Sequence, residues 1–74
     1  MALEQIESEV TGTVWQVLVE VGQQVAEEEA IMILESMKME IPVEAPGAGK
    51  VTELLVAPED HVEEGQIVAT IETS

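Results

Sequence analysis

Apolar residues recur along this chain in short branched runs. Val14, Val17, Leu18 and Val19 follow Gly12, and Val51, Leu54, Leu55 and Val56 follow Gly49. Clusters of branched residues opened by glycine read as strands. In each run the apolar positions change parity, between Val14 and Val17 and between Val51 and Leu54, which predicts a bulge or sharp coil at the same place in both. The two runs belong to a longer repeat. Shifted by 37 residues, Gly12–Val19 lies over Gly49–Val56, Val25 over Val62, Glu27 over Glu64, Ile31 over Val68, and Leu34-Glu35 over Ile71-Glu72, while Ile6-Glu7 lies over Val43-Glu44. The chain therefore divides into half-repeats 1–37 and 38–74 of a single domain, and a unit that recurs in this way needs its copy to complete the core.

The pattern predicts strands near 3–8, 12–20, 24–26, 30–36, 39–45, 49–57, 61–63 and 67–73. Turns are expected at Thr11-Gly12, Gly22-Gln23, Ser36 to Met39, Pro46 to Gly49, Pro58 to Asp60 and Glu64-Gly65, with Glu27-Glu28-Glu29 a solvated turn. One segment argues otherwise. Ala26 to Glu40 is rich in Ala, Glu, Met and Leu, with Ala30, Ile33, Leu34 and Met37 at helical spacing, so by propensity it is an amphipathic helix. Its copy, Ile67 to Thr73, is strand-like and has no helical run, and the repeat outranks local propensity. The expected fold is all-β: a flattened eight-stranded antiparallel barrel or sandwich of two quasi-symmetric, interlocked halves, which also limits exposed sheet edges.

Charge narrows the functions open to such a domain. The 74 residues carry a formal net charge of −14, with 16 carboxylates against two lysines. Nucleic acid and anionic membrane surfaces are excluded as partners, because binding phosphate needs a basic patch. The charge serves solubility, or faster encounter with partners that present basic docking faces. Cysteine is absent and His61 is the only histidine, which leaves no disulfide, thiolate nucleophile or histidine-rich metal site. The longest apolar run, Ala30 to Leu34, is far short of a membrane span, and no export signal opens the chain. A soluble cytoplasmic protein, monomeric in isolation, is expected.

Lys38 stands in Glu35-Ser36-Met37-Lys38-Met39-Glu40, at the junction of the two half-repeats. Large, flexible, apolar neighbours give its amine no salt-bridge partner, yet they mark one lysine for an enzyme that must find it. If the strands on either side pair as a hairpin, Met37-Lys38 form its tip and hold the amine out in solvent. This Glu-Ser-Met-Lys-Met run resembles the biotin-attachment signature of the biotin carboxyl carrier and biotin/lipoyl attachment domains, usually Glu-Ala-Met-Lys-Met. The resemblance extends over essentially the whole chain. It implies the flattened barrel with a hairpin lysine and covalent biotin on Lys38, flanked by Met37 and Met39 as recognition residues. Glu35 and Glu40 match the commonly acidic positions, and Ser36 stands where alanine is usual. The implied role is that of a carrier, not a catalyst: biotin protein ligase modifies it, a biotin carboxylase loads it, and a carboxyltransferase unloads it.

Some features depart from the family pattern. Glycine often fills four turn positions after the repeated strands; here Gly22 and Gly65 keep two, while Glu28 and Glu59 occupy the others. Those two turns are expected to use conformations open to any residue. No extra residues separate Val19 from Val25, so the protruding thumb of some bacterial carriers is absent. With no Pro/Ala-rich run upstream in this sequence, a free-standing or excised domain is expected. Two rivals remain. A lipoyl carrier shares the fold and hairpin lysine, although lipoyl hairpins more typically read Asp-Lys-Ala, and lipoate is the second cofactor to consider. An unmodified acidic β-module that only binds proteins is the other. Elsewhere, Lys50 and His61 read as solvated surface residues, and Trp15, aligned with the polar Thr52, belongs on the outer face. Pro46-Gly47-Ala48-Gly49 lacks the Lys-Ser/Thr ending of a phosphate loop, and no EF-hand spacing occurs among the acidic residues.

Overall fold

The computed structural model describes residues 2–73. Every expected strand is present: β1 (Ala2–Glu7), β2 (Gly12–Val17), β3 (Gln24–Val25), β4 (Ala30–Ser36), β5 (Met39–Glu44), β6 (Gly49–Leu54), β7 (His61–Val62) and β8 (Ile67–Thr73). Each strand of the second half begins and ends 37 residues after its counterpart in the first. The segment with helical propensity, Ala26 to Glu40, is instead the β3–β4 turn followed by β4 and the start of β5. Pairing explains the outcome: β4 lies between β5 and β2, where its Ile31, Met32 and Leu34 are wholly buried. An isolated helix of that length is marginal, and burial decides.

The strands form two antiparallel four-stranded sheets, ordered β1-β8-β6-β3 and β5-β4-β2-β7. Each sheet therefore mixes strands from both half-repeats. Neither half can close alone, as the repeat implied, because β1 and β3 must pair with β8 and β6 from the other half. One continuous core fills the space between the sheets. Val14, Ile31, Met32 and Leu34 of the first half meet Val51, Val62, Val68 and Ile71 of the second, all at most 1% exposed. Burying side chains of this size stabilises by about 1.5–3 kcal/mol each, which is how so short a chain sustains a fold.

The change of parity is a bulge in both copies. The β2–β4 register shifts between Val14 and Gln16, and the β6–β8 register shifts between Val51 and Glu53, so Trp15 and Thr52 are the inserted residues. Trp15 is half exposed, as its alignment with Thr52 implied. Beyond the bulges both strands stop earlier than expected, at Val17 and Leu54 rather than at residues 20 and 57. There the chain leaves one sheet and coils across to the other, inserting Val19 and Val56 into the core as it passes. Backbone bonds hold the crossings: Gly22 N to Val51 O at 2.7 Å, and Glu59 N to Val14 O at 2.7 Å.

Four turns of one design punctuate the crossings, at residues 20–23, 26–29, 57–60 and 63–66. In each, the fourth residue's N–H donates to the first residue's carbonyl, at 2.9 to 3.1 Å. Its side-chain oxygen accepts from the first residue's N–H: Gln23 from Glu20, Glu29 from Ala26, Asp60 from Ala57 and Gln66 from Glu63. The third residue of each turn has positive φ: 94° at Gly22, 68° at Glu28, 78° at Glu59 and 87° at Gly65. This corrects the sequence expectation for Glu28 and Glu59. Their turns keep the left-handed geometry that favours glycine, and the doubled backbone–side-chain clasp holds a glutamate there against its steric preference.

Candidate functional site

β4 and β5 pair from Ala30–Glu44 up to Ser36–Met39, leaving Met37 and Lys38 as a two-residue connection. Both have positive φ, 51° at Met37 and 66° at Lys38. Positive φ at both central residues defines a type I′ turn, whose twist matches that of the flanking strands and which is usually built from Asn-Gly. Here neither residue is Asn, Asp or Gly. Left-handed backbone at non-glycine residues is the kind of local strain that persists only where the surroundings over-determine it.

Two contacts supply that determination, both from the β1–β2 connection and the start of β2. The Ser36 hydroxyl donates to the Thr11 carbonyl at 2.8 Å, tying the last residue of β4 to the loop beside it. Gly12 lies directly against the Glu35 carbonyl, so close that any added Cβ would collide with it. The base of the tip is thus pinned from one side, and the turn projects beyond it.

The sequence-predicted residues come together here. Lys38 is exposed, Met37 is 90% exposed and Met39 is 59% exposed, so neither methionine fills the core. Glu35 and Glu40 face each other across the ladder two residues back from the tip, both exposed. Like charges directly opposite are destabilising. The pair surrounds the base of the hairpin with negative potential while leaving the amine beyond it. Ser36 is half-buried and holds the hairpin by its hydroxyl. Lys50 lies on β6 in the other sheet and His61 on the short β7, both exposed and neither part of this turn. Sequence reading did not find Thr11 and Gly12 as supports of the tip. The signal was present in part, since Gly49 repeats Gly12 and sits against the Glu72 carbonyl in the same way.

Chemically, the arrangement offers one primary amine on a narrow projection that another protein's active site can surround. No cluster of three or more His, Asp or Glu side chains suited to a metal occurs among the described residues. No helix is long and apolar enough to cross a membrane.

Comparison with known proteins bears on the chain as a whole. A family model described as "Biotin-requiring enzyme" matches residues 4–73. The chain is 38% identical over 68 residues to the "Biotinylated protein TB7.3 homolog" of Mycobacterium leprae (strain TN), covering 92% of this chain and 96% of that protein. It is also 38% identical over 66 residues to the "Biotin/lipoyl attachment protein" of Bacillus subtilis (strain 168), covering 89% and 90% of the two chains. The crystal structure of the Kluyveromyces lactis urea carboxylase contains a segment that superposes with a TM-score of 0.92 at 38% identity. That match takes in 97% of this chain and 6% of the much longer carboxylase chain. A family model matching residues 4–73 and relatives 38% identical over most of both chains show that the chain belongs to the biotin/lipoyl family of biotin-requiring enzymes as a biotinyl domain.

Proposed function

We propose that Lys38 is the site of covalent biotin attachment and that the domain is a biotin carboxyl carrier. On this reading it takes a carboxyl group from a biotin carboxylase and gives it to a carboxyltransferase. The observation that carries the proposal is the position of Lys38 on an exposed two-residue turn whose base is pinned and whose neighbours are two exposed methionines. Biotin, once attached, supplies the nitrogen that holds the carboxyl group in transit.

The residues fit the attachment step. Ligation needs the neutral Lys38 amine to attack the carbonyl of an ATP-activated biotin: the amide C–N bond forms, the acyl–phosphate bond breaks, and the nitrogen loses a proton. Nothing in this step asks the domain for an acid or base of its own. It asks for reach, which the projecting turn provides, and for recognition, which Met37 and Met39 provide through flexible apolar contact. Glu35 and Glu40 add attraction for a basic docking face at the hairpin base. After ligation the lysine stem and biotin tail form a tether, and tethering holds a reactant near its next site at an effective concentration on the order of millimolar.

The test is intact mass after incubation with biotin protein ligase, ATP and biotin, with a parallel lipoate-ligase reaction. One biotin adduct on the wild type and none on Lys38→Arg is the expected result. A lipoyl adduct alone would keep the carrier role and replace the cofactor. No adduct from either ligase would leave an acidic protein-binding module.

A further inference from the structure

The two sheets end on the same side of the molecule at β1 and β5, and between these edges lies an open groove of about 710 Å³. It belongs to neither the hairpin tip nor the proposed carrier chemistry. Its floor is apolar: Ile6, Leu34, Val43 and Ala45, all at most 7% exposed, line it from below. Six exposed glutamates line it above this floor, Glu7, Glu9, Glu27, Glu28, Glu44 and Glu64, and among the described residues lining it none is basic. Lys50, His61 and Lys38 lie outside it.

The edges themselves are unequal. The Ser36–Met39 pair closes a two-residue turn and is hydrogen-bonded, so by alternation Ile33–Pro42 is a non-hydrogen-bonded pair. The Pro42 nitrogen therefore faces away from β4, and proline has no N–H to offer there. Pro42 blunts the β5 edge. The 37-residue repeat puts Gln5 in the corresponding place on β1, paired with Thr70 as Pro42 is with Ile33. Gln5 keeps its N–H, directed away from β8. Past these segments the chain is already occupied: Ser8 exchanges bonds with Gly65 and Gln66, and Ala45 with Glu28 and Glu29, at 2.8 to 2.9 Å. What remains open is a short stretch of β1 edge beside an apolar floor and carboxylate walls.

The geometry points to a binding site for a basic, extended segment of a partner protein, which adds as a strand to β1 and lays its cationic side chains against the groove glutamates. An alternating apolar–basic segment fits the period of a strand: one face meets the floor and the other meets the carboxylates. A second copy of this chain does not fit, because it would bring another net charge of −14 to the same carboxylates.

The probe is a short peptide of alternating valine and lysine, followed by proton–nitrogen NMR of the unbiotinylated protein, since the groove is independent of Lys38. Expected are saturable amide shifts centred on Gln5 to Glu9 and on Val43 to Ala45, with the hairpin tip unmoved. Affinity should fall with added salt, and by about fivefold to tenfold when the peptide amides facing β1 are N-methylated, because one or two backbone hydrogen bonds are lost. Glu7→Gln with Glu44→Gln should weaken binding severalfold without touching the edge. Equal binding of the N-methylated peptide would overturn the proposal, since charge alone would then explain the contact. So would shifts spread evenly over all acidic faces, the same shifts produced by calcium ions, or a concentration-dependent dimer without peptide.

Discussion

The described residues form two equivalent strand-pair ends, and one of them closes in a two-residue turn that bears a lysine. At one, Ser36 pairs with Met39 and the chain turns through Met37 and Lys38. At the other, Thr73 pairs with Ala2 in the corresponding register. The supports match: Gly12 lies against the Glu35 carbonyl and Gly49 against the Glu72 carbonyl. The anchoring hydroxyls differ. Ser36 bonds across to Thr11 in the neighbouring connection, whereas Thr73 bonds to Ala2 of its own strand partner, at 3.3 Å. The repeated fold thus builds a pinned strand pair twice, and the covalent turn converts one copy into a platform for a lysine. Strain marks the hairpin, because the two left-handed residues at its tip each cost about 1–2 kcal/mol.

The largest effect is expected from giving the second end a turn. A circular permutant in which Glu-Ser-Met-Lys-Met-Glu closes β8 onto β1, with new ends opened elsewhere, should accept a second biotin, read as a second adduct by intact mass. Failure to label there, with the fold retained, would show that the strand geometry alone is not a sufficient platform. Next in size are Gly12→Ala and Gly49→Ala. Each new Cβ meets a carbonyl of the adjacent strand, so each should destabilise by about 1–3 kcal/mol in denaturant titration. Only Gly12→Ala should also slow ligation, because only it shifts the hairpin that bears Lys38.

Smaller effects follow from the positive-φ residues. Glu28→Gly and Glu59→Gly should each stabilise by roughly 0.5–1 kcal/mol, strain relief outweighing the added freedom of the unfolded chain. Gly22→Ala and Gly65→Ala, in the sister turns, should destabilise by a similar amount, although an added Cβ meets nothing within 4 Å at either. Smallest is Met37→Asn, which suits the left-handed region better and should stabilise by about 0.5 kcal/mol. Its ligation should nonetheless slow, read as a lower kcat/KM, if methionine contact is what the ligase uses. An unchanged rate would remove Met37 from recognition and leave it as turn residue only.

Much of this was legible in the sequence, for physical reasons that can be named. The repeat gave the number and approximate positions of the strands because two copies of one pattern check each other. Val14 and Val17 on one side, and Val51 and Leu54 on the other, revealed bulges that neither alone would establish. The same comparison overruled helical propensity from Ala26 to Glu40. What escaped reading is conformational. Glu28 and Glu59 do not announce left-handed backbone, since the clasp that holds them there comes from Glu29 and Asp60 side chains folding back on the turn. Met37-Lys38 likewise lacks the Asn-Gly signal of a type I′ turn. Gly12's role depended on a carbonyl 23 residues away in sequence, brought near only by the β2–β4 pairing. The groove beside β1 was invisible for the same reason, because its glutamates are scattered from Glu7 to Glu64.

On the proposed reading, placement on the turn, and not mere exposure, selects one of two surface lysines. Site-resolved mass spectrometry of the wild-type chain after biotin ligation tests it most directly, because Lys50 is also exposed and is an internal control. Expected is one biotin per chain, all of it on Lys38. Biotin on Lys50, or divided between the two lysines, would contradict it.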